Sequence, residues 1–168
     1  MIKIKTSAII NMQSRKSRMT IMYYRIISLL LLCMGYLVTA YSNTFVFNPR
    51  SHSWTAINDH GKVIRSGRAS GGANYCKDIH RGCRTPVGTY RVWSKGSPSC
   101  KSSRYPRPYG GAPMPYCMFF SKYYAIHGSY DVPSHNASHG CIRVTPGDAA
   151  WLSKNFVRIG TKVVVKSY

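Results

Sequence analysis

The segment Ala125–Val144, AIHGSYDVPSHNASHGCIRV, is rich in Gly, Ser, Asn and Pro, a composition that disfavours a helix. It nevertheless carries four side chains that titrate or become nucleophilic near neutral pH: His127, His135, His139 and Cys141. Three chemistries are compatible with them: a metal site, a disulfide anchor, or a thiol nucleophile with an imidazole base. Their spacing matches neither a CxxC nor an HExxH pattern, so a metal site is the weakest of the three.

The number of cysteines bears on the disulfide alternative. The chain has six, one of which lies in the apolar N-terminal run described below. Five remain, and in an oxidising compartment an odd number leaves one thiol free or paired between chains. Pairing nearest neighbours joins Cys76 to Cys83 and Cys100 to Cys117, although four cysteines allow three pairings. The thiol left over is Cys141, within the histidine-rich segment.

A thiol nucleophile needs a base for its proton and donors for the oxyanion that develops during acyl transfer. His127 ends the aromatic, β-prone run MFFSKYYAI, and a rigid strand end can face a turn fourteen residues later, so it is the predicted base. A nearby imidazole is expected to lower the pKa of the thiol. His139 is too close to Cys141 in sequence for good proton-transfer angles, and His135 is predicted to lie on the surface. Gly140 permits a tight turn with exposed N–H groups. These residues indicate a cysteine acyltransferase or hydrolase.

Three strings, RTPVGTY, IHGS and SHGCIRV, resemble the L,D-transpeptidase catalytic domain, also called the YkuD domain, and the resemblance covers approximately residues 44–166. It implies a mainly β fold, a mixed β-sandwich with one helix near the C-terminus. It also implies that Cys141 is the nucleophile and His127 the general base, with the Gly128 carbonyl orienting the imidazole. The implied oxyanion and substrate contacts are Gly128, Ser138, His139, Gly140 and Arg143.

For the activity, the resemblance implies an exported cysteine transpeptidase that attacks a peptidoglycan stem tetrapeptide at the carbonyl of its third residue. D-Ala would leave, and a second stem, a D-amino acid or water would resolve the thioester. The implied reaction needs no cofactor and no metal, and β-lactams of the carbapenem type are the expected inhibitors. Papain-like hydrolases fit less well, because their nucleophile precedes the histidine.

Two features depart from the family pattern. Ten residues separate His127 from Ser138, so a small flap is expected over the site. The Cys- and Pro-rich segment 94–117 is not part of the core pattern and leaves the choice of acceptor open; we expect it to lie near the site and to gate the acceptor. A rival hypothesis keeps the fold without catalysis: a secreted cationic protein that binds the cell wall or a host polyanion.

Residues 1–40 are predicted to be a signal peptide, because a basic stretch precedes the apolar run IISLLLLCMGYLV and a small-residue cleavage site at Thr39-Ala40. An uncleaved N-terminal anchor is the alternative. The predicted catalytic domain, 41–168, retains 18 basic and 4 acidic residues, a formal charge of +14. Its location is expected to be the periplasm or cell envelope, as a monomer without a stable membrane anchor. The scattered positive charge suits an acidic wall, and export argues against nucleic acid.

The regular elements follow from periodicity and turn residues. WTAIN and KVIRSG, on either side of DHG, predict a hairpin, and TPVGTYRVWS and KVVVK predict strands. Five prolines and three glycines in segment 94–117 predict a long loop without strand or helix. TPGDAAWLSKNF predicts a helix capped by Thr145, with Pro146 first, Asp148 at its positive end and Gly160 as its stop.

Overall fold

The computed structural model describes residues 22–25, 28 and 42–168. The chain divides into two units, Met1–Ala40 and Tyr41–Tyr168. In the first unit, residues 22–25 and 28 are helical and exposed, and most of the predicted signal peptide lies outside the described residues. No helix within the described residues combines the length and apolar character that a bilayer span requires.

The described part of the second unit forms nine strands and a short C-terminal helical segment. The strands are β1 (Thr44–Asn48), β2 (Ser53–Ile57), β3 (Val63–Ser70), β4 (Gly88–Arg91), β5 (Ser94–Lys95), β6 (Met118–Ser121), β7 (Tyr124–Gly128), β8 (Ile142–Val144) and β9 (Lys162–Val165). The helices are a 3₁₀ turn at Lys77–Ile79, α1 (Pro146–Trp151) and a π-helical turn that continues α1 over Leu152–Phe156.

The strands run in the order β4-β9-β1-β2-β3-β8-β7-β6-β5. Neighbours are antiparallel except β1 with β9 and β7 with β8, which are parallel. The two ends of the sheet approach each other, since the rings of Tyr90 on β4 and Phe120 on β6 lie 5.5 Å apart. The sheet therefore curls around a core, and the prediction of a mainly β, mixed fold with one C-terminal helix is confirmed.

The core follows from the alternation of side chains along each strand. On β1 and β2 every second residue is fully buried, and the rings of Phe45 and Trp54 stack 5.8 Å apart. The helical segment closes the core with the apolar face that its spacing predicts, formed by Ala149, Leu152 and Phe156. Burial of one large apolar side chain contributes about 1.5–3 kcal/mol to the free energy of folding, so the packed core holds the strands in place.

The hairpin and the extent of the helix are confirmed, but Gly160 is not the residue that ends the helix. Thr145 Oγ1 accepts the N–H of Asp148 at 3.2 Å, as an N-cap does. The helical segment ends at Phe156, because Val157 turns to extended backbone and is fully buried. Gly160, at φ +90°, serves instead in the turn before β9, beyond the end of the helix that TPGDAAWLSKNF predicts.

Segment 94–117 contains a short strand, contrary to the prediction of a loop without strand or helix. Ser94 and Lys95 form β5 and pair with β6, whereas the composition predicted no strand there. The ladder is possible because the prolines begin only at Pro98, and because Gly96 N–H also donates to the Cys117 carbonyl. Beyond β5 the segment is a loop, as predicted, with an isolated bridge between Lys101 and Pro113.

Both nearest-neighbour disulfides are present. Cys76 bonds to Cys83, and Cys100 bonds to Cys117. Within residues 42–168 the unpaired cysteine is Cys141. The predictions from cysteine parity are therefore confirmed for the described part of the chain, and a disulfide role for Cys141 is excluded there.

Candidate active site

Cys141 lies at the end of a tight turn, immediately before β8. Ser138 holds this turn, because its hydroxyl donates to the Cys141 carbonyl and accepts the N–H of Gly140 at 3.0 Å. The backbone of Ser138 also pairs with the chain at Gly71 and Ala73. The buried serine thus anchors the loop that carries the thiol.

Gly140 is required for the shape of the turn. Its φ is +120°, a conformation that residues with a side chain rarely adopt. A Cβ built at this position would lie 2.1 Å from Cε1 of Tyr124. The ring of Tyr124 therefore occupies the space that a side chain would fill, and it packs directly against the turn before Cys141.

His127 lies on β7, the parallel neighbour of β8. The register places Ile126 beside Ile142 and His127 beside Arg143. Side chains alternate along a strand, so His127 projects from the same face as Ala125, against which Cys141 packs. The thiol and the imidazole therefore lie on one side of the β7–β8 pair, opposite the core residues Ile126 and Ile142.

The tautomer of His127 is set by its own strand. Nδ1 lies 2.8 Å from the carbonyl oxygen of Gly128, and a carbonyl can only accept, so Nδ1 carries the proton. Nε2 of the neutral ring is then left as the proton acceptor. This hydrogen bond involves the same Gly128 carbonyl that the family resemblance implies.

Burial sets the charge state of both groups. His127 is 6% exposed, and desolvation lowers its pKa to about 4 against the opposing effect of the Gly128 carbonyl. Burial also raises the pKa of the Cys141 thiol, although the Ala125 backbone and the charge of Arg143 act in the other direction. The expected lowering of the thiol pKa is therefore wrong for the resting structure, because desolvation outweighs the polar contacts. The pair rests as neutral thiol and neutral imidazole.

Arg143 follows Cys141 by two residues on β8. Its guanidinium donates to the carboxylate of Asp131 at 2.7 Å, across the short loop that follows β7. Its positive charge contributes to the low pKa of His127. The structure thus engages Arg143 with residues 129–137, which carry no strand or helix, in keeping with the small flap expected there.

His139 occupies a different environment from His127. Its Nε2 lies 2.9 Å from both carboxylate oxygens of Asp78, and its ring stacks on Tyr105 with centroids 4.0 Å apart. Hydrogen bonding to His139 holds the pKa of Asp78 below its usual value. Sequence reasoning missed Asp78 and Tyr105, since each lies in a disulfide-closed loop that is far from His139 along the chain. His135 is exposed, as predicted.

A cavity of about 460 Å³ opens beside Cys141. Aromatic side chains contribute much of its wall, including Tyr105, Tyr123 and Tyr124. The carbonyl oxygen of Tyr123 lies 4.0 Å from Cys141 Sγ, so the wall reaches the thiol itself. His139 lines the cavity, whereas His127 is not among its lining residues. The predicted position of segment 94–117 near the site is borne out, because residues 101–105 and Met114 line the same cavity.

The metal-site alternative is represented by a different set of residues from the one considered in the sequence, with only His139 in common. In the described part of the chain, the potential metal ligands Cys76, Asp78 and His139 have donor atoms within 4.8 Å of one another. Cys76 is bonded to Cys83, so its sulfur is not the thiolate that a metal such as zinc prefers. This trio includes neither Cys141 nor His127.

The fold and the site together define a class of protein: a mainly β domain with a free thiol and a buried, neutral imidazole on one side of two parallel strands. The family model of the L,D-transpeptidase catalytic domain, YkuD, matches residues 42–165. The chain belongs to this family. No curated protein shows a significant match to the sequence.

Solved structures agree with this assignment. The chain is similar to an L,D-transpeptidase from Xylanimonas cellulosilytica, at 26% identity and a TM-score of 0.63, over 76% of this chain and 62% of that chain. An L,D-transpeptidase from Mycobacterium tuberculosis matches at 25% identity and a TM-score of 0.61, over 75% and 58%. L,D-transpeptidase 3 from Mycobacterium tuberculosis, in complex with a faropenem-derived adduct, matches at 25% identity and a TM-score of 0.56, over 75% and 60%. The chain thus spans about three fifths of these proteins.

Proposed function

We propose that the domain is a cysteine transpeptidase that acts on peptidoglycan stem tetrapeptides through a thioester on Cys141. The observation that carries the proposal is the juxtaposition of an unpaired thiol with a neutral, tautomerically fixed His127 on neighbouring parallel strands. Membership of the L,D-transpeptidase catalytic domain family supports it.

The charge states suggest how the reaction begins. Since the thiol is protonated at rest, His127 Nε2 accepts the proton as sulfur attacks the carbonyl carbon of the third stem residue. The oxyanion forms beside the turn that Ser138 holds, where backbone N–H groups of Gly140 and Cys141 are the proposed donors. In the resting structure the Gly140 N–H bonds to Ser138 Oγ, so the Cys141 N–H is the better candidate.

The intermediate then collapses. Its carbon–nitrogen bond breaks, the protonated His127 gives its proton to the leaving amine of D-Ala, and Cys141 keeps the acyl group as a thioester. An incoming amine or water repeats the sequence in reverse: His127 accepts its proton, and the thiolate leaves and is reprotonated. Gly128 keeps the imidazole in one tautomer throughout, because its carbonyl holds Nδ1–H.

Location in the cell envelope is part of the proposal. Two disulfides are compatible with an oxidising compartment, and the excess of basic residues suits an acidic, carboxylate-rich wall. We further propose that β-lactams acylate Cys141. This is supported by the similarity to an L,D-transpeptidase in complex with a faropenem-derived adduct.

Intact-mass spectrometry of the protein incubated with faropenem, and separately with a stem tetrapeptide and a D-amino acid, tests the proposal. We expect a covalent adduct and release of D-Ala. Cys141→Ala should remove both while leaving the melting temperature within a few degrees, since a thiol on a turn contributes little packing. A folded wild-type protein that forms neither adduct nor product would favour the alternative, a catalytically silent cationic binding protein on the same fold.

A further inference from the structure

The cavity beside Cys141 has a basic rim. Four cationic side chains line it, and no carboxylate is among its lining residues. The four are Arg81, Lys101, Arg104 and Lys122. They come from three separated parts of the chain: the first disulfide-closed loop, the second disulfide-closed loop and the turn between β6 and β7.

No aspartate neutralises this rim in the described part of the chain. In that part of the chain, Asp148 and Asp131 form ion pairs with Arg65 and Arg143, Asp59 lies beside His60, and Asp78 contacts His139. The nearest acid is Asp78, and its carboxylate is engaged by His139, another lining residue. Like charges gathered around a concave surface repel one another and raise the local potential, so the empty cavity favours an anion.

The rim is joined to the thiol through one residue, Tyr123. The guanidinium carbon of Arg104 lies 5.1 Å from the centroid of its ring, and Nζ of Lys122 lies 5.3 Å from it. The carbonyl of the same residue lies 4.0 Å from Cys141 Sγ. A ligand carboxylate held by these two cations therefore lies beside the same residue whose backbone approaches the sulfur.

The position of the thiol assigns the cavity to one of the two substrates. Cys141 lines the cavity, and its sulfur must reach the carbonyl carbon of the acyl donor before any acceptor can react. The cavity therefore opens onto the place where the donor carbonyl has to lie. Aromatic surface beside the cations, from Trp93 and Phe119 with rings 5.7 Å apart, offers apolar contact to a peptide chain.

We propose that this cavity binds the acyl donor, an anionic peptide, through a carboxylate that Arg104 and Lys122 hold above Tyr123. The inference rests on the proposed transpeptidase function and adds to it a specificity determinant contributed by the disulfide-closed segment 100–117. Two carboxylates could serve, that of the terminal residue of the donor or one on a side chain, and the experiment separates them.

The first test needs no enzymatic activity. Cys141 is alkylated with iodoacetate and with iodoacetamide at pH 8.5, and the rate ratio is compared with that of glutathione. We expect the anionic reagent to be favoured about three- to tenfold in the wild type, in line with partly exposed charge pairs. Arg104→Gln with Lys122→Gln should bring the ratio to that of glutathione, and Lys62→Gln, which removes one charge outside the cavity, should not. A wild-type ratio equal to that of glutathione would overturn the anion site.

The second test uses donor tetrapeptides amidated either at the terminal carboxylate or at the side-chain carboxylate. One amidated donor should show a KM about three- to tenfold higher in the wild type with kcat little changed, and the double variant should not distinguish it from the free acid. If the double variant discriminates as the wild type does, the proposal is wrong. If no donor is turned over while the iodoacetate preference persists, the anion site stands and the assignment to a donor falls with the proposed function.

Discussion

Two regions meet at Cys141 and are held in place by different means. The β7–β8 pair positions the thiol and His127 through the register of two parallel strands. Part of the cavity wall comes from loops with little regular structure, closed by the Cys76–Cys83 and Cys100–Cys117 disulfides. Backbone ladders thus place the thiol and the imidazole, while covalent links hold part of the cavity wall.

This difference implies that substitutions could alter the chemical step at Cys141 and the recognition of the substrate separately. A ladder register slips only by whole residues, so the geometry of thiol and imidazole is tightly specified. A loop closed by a disulfide can change its sequence and keep its ends in place. Variants of the first region should therefore change the rate of acylation, and variants of the second should mainly change KM.

The largest effect on the acylation rate is expected from a substitution of His127, in the region positioned by the β7–β8 pair. We expect His127→Gln to lower the rate of acylation by faropenem about 10²- to 10⁴-fold, because no neutral base remains to take the thiol proton. In the wild type the neutral imidazole is lost as the pH falls through about 4, so the rate should fall there with it. Stopped-flow mass or fluorescence measurements from pH 3.5 to 8 check both.

The matched control for that variant is His139→Gln, which removes the other histidine near the thiol. It should retain most of the acylation rate. If His139→Gln loses acylation at pH 6 while His127→Gln keeps it, the two histidines exchange roles and the assignment of the base is wrong.

The next largest effect is expected where the two regions touch, at Gly140. Alanine there must adopt φ near +120° and displace the ring of Tyr124, which lies 2.1 Å from the added Cβ. We expect a loss of about 1–3 kcal/mol in the free energy of unfolding and an acylation rate lowered about tenfold. Urea denaturation and adduct kinetics measure these. Gly147→Ala, where nothing lies within 4 Å of the added Cβ, is the control.

The disulfide region is tested by replacing Cys100 and Cys117 together with serine. The loop they close spans a separation of 17 residues, and opening it should cost about 3 kcal/mol of unfolding free energy in the chain-entropy model. We expect transpeptidation to be impaired more than acylation by faropenem, because the loop carries Lys101, Arg104 and Tyr105. Equal loss of both activities would show that the bond serves folding rather than recognition.

The smallest effect should come from Asp78→Asn. Its carboxylate is exposed and contacts His139 at 2.9 Å, so the variant should change KM by no more than about two- to fivefold and leave the pH dependence set by His127 unchanged. His135→Ala should change neither parameter, because His135 is exposed and contributes its backbone carbonyl, not its ring, to the fold. A shift of the acidic limb in Asp78→Asn would mean that His139 takes part in proton transfer.

Much of this arrangement is encoded locally and could be predicted. Alternation and turn residues gave the hairpin, the Thr145 cap gave the helix start, and cysteine parity gave the unpaired thiol. The sequence assigned the helix stop to Gly160, whereas burial of Val157, a tertiary effect, ends the helix at Phe156.

The rest of the site depends on long-range contacts. Asp78 lies 61 residues from His139 in sequence, and no local pattern links an aspartate on a 3₁₀ turn to a histidine in a distant loop. The thiol pKa was predicted in the wrong direction for the same reason: a sequence shows which groups neighbour Cys141 along the chain, but not how far the fold desolvates the thiol. Short β5 was hidden by the prolines and glycines that follow it.

The protonated state of Cys141 also bears on the chemical lifetime of the protein. Oxidation to sulfenic acid requires thiolate character and access, and a thiol whose pKa is raised by burial offers little of the first. A compartment that permits two structural disulfides also exposes cysteines to peroxides and to mixed-disulfide exchange. A thiol that keeps its proton is expected to stay reduced longer than a thiolate would, so resistance to oxidation is an expected consequence of the raised pKa of Cys141.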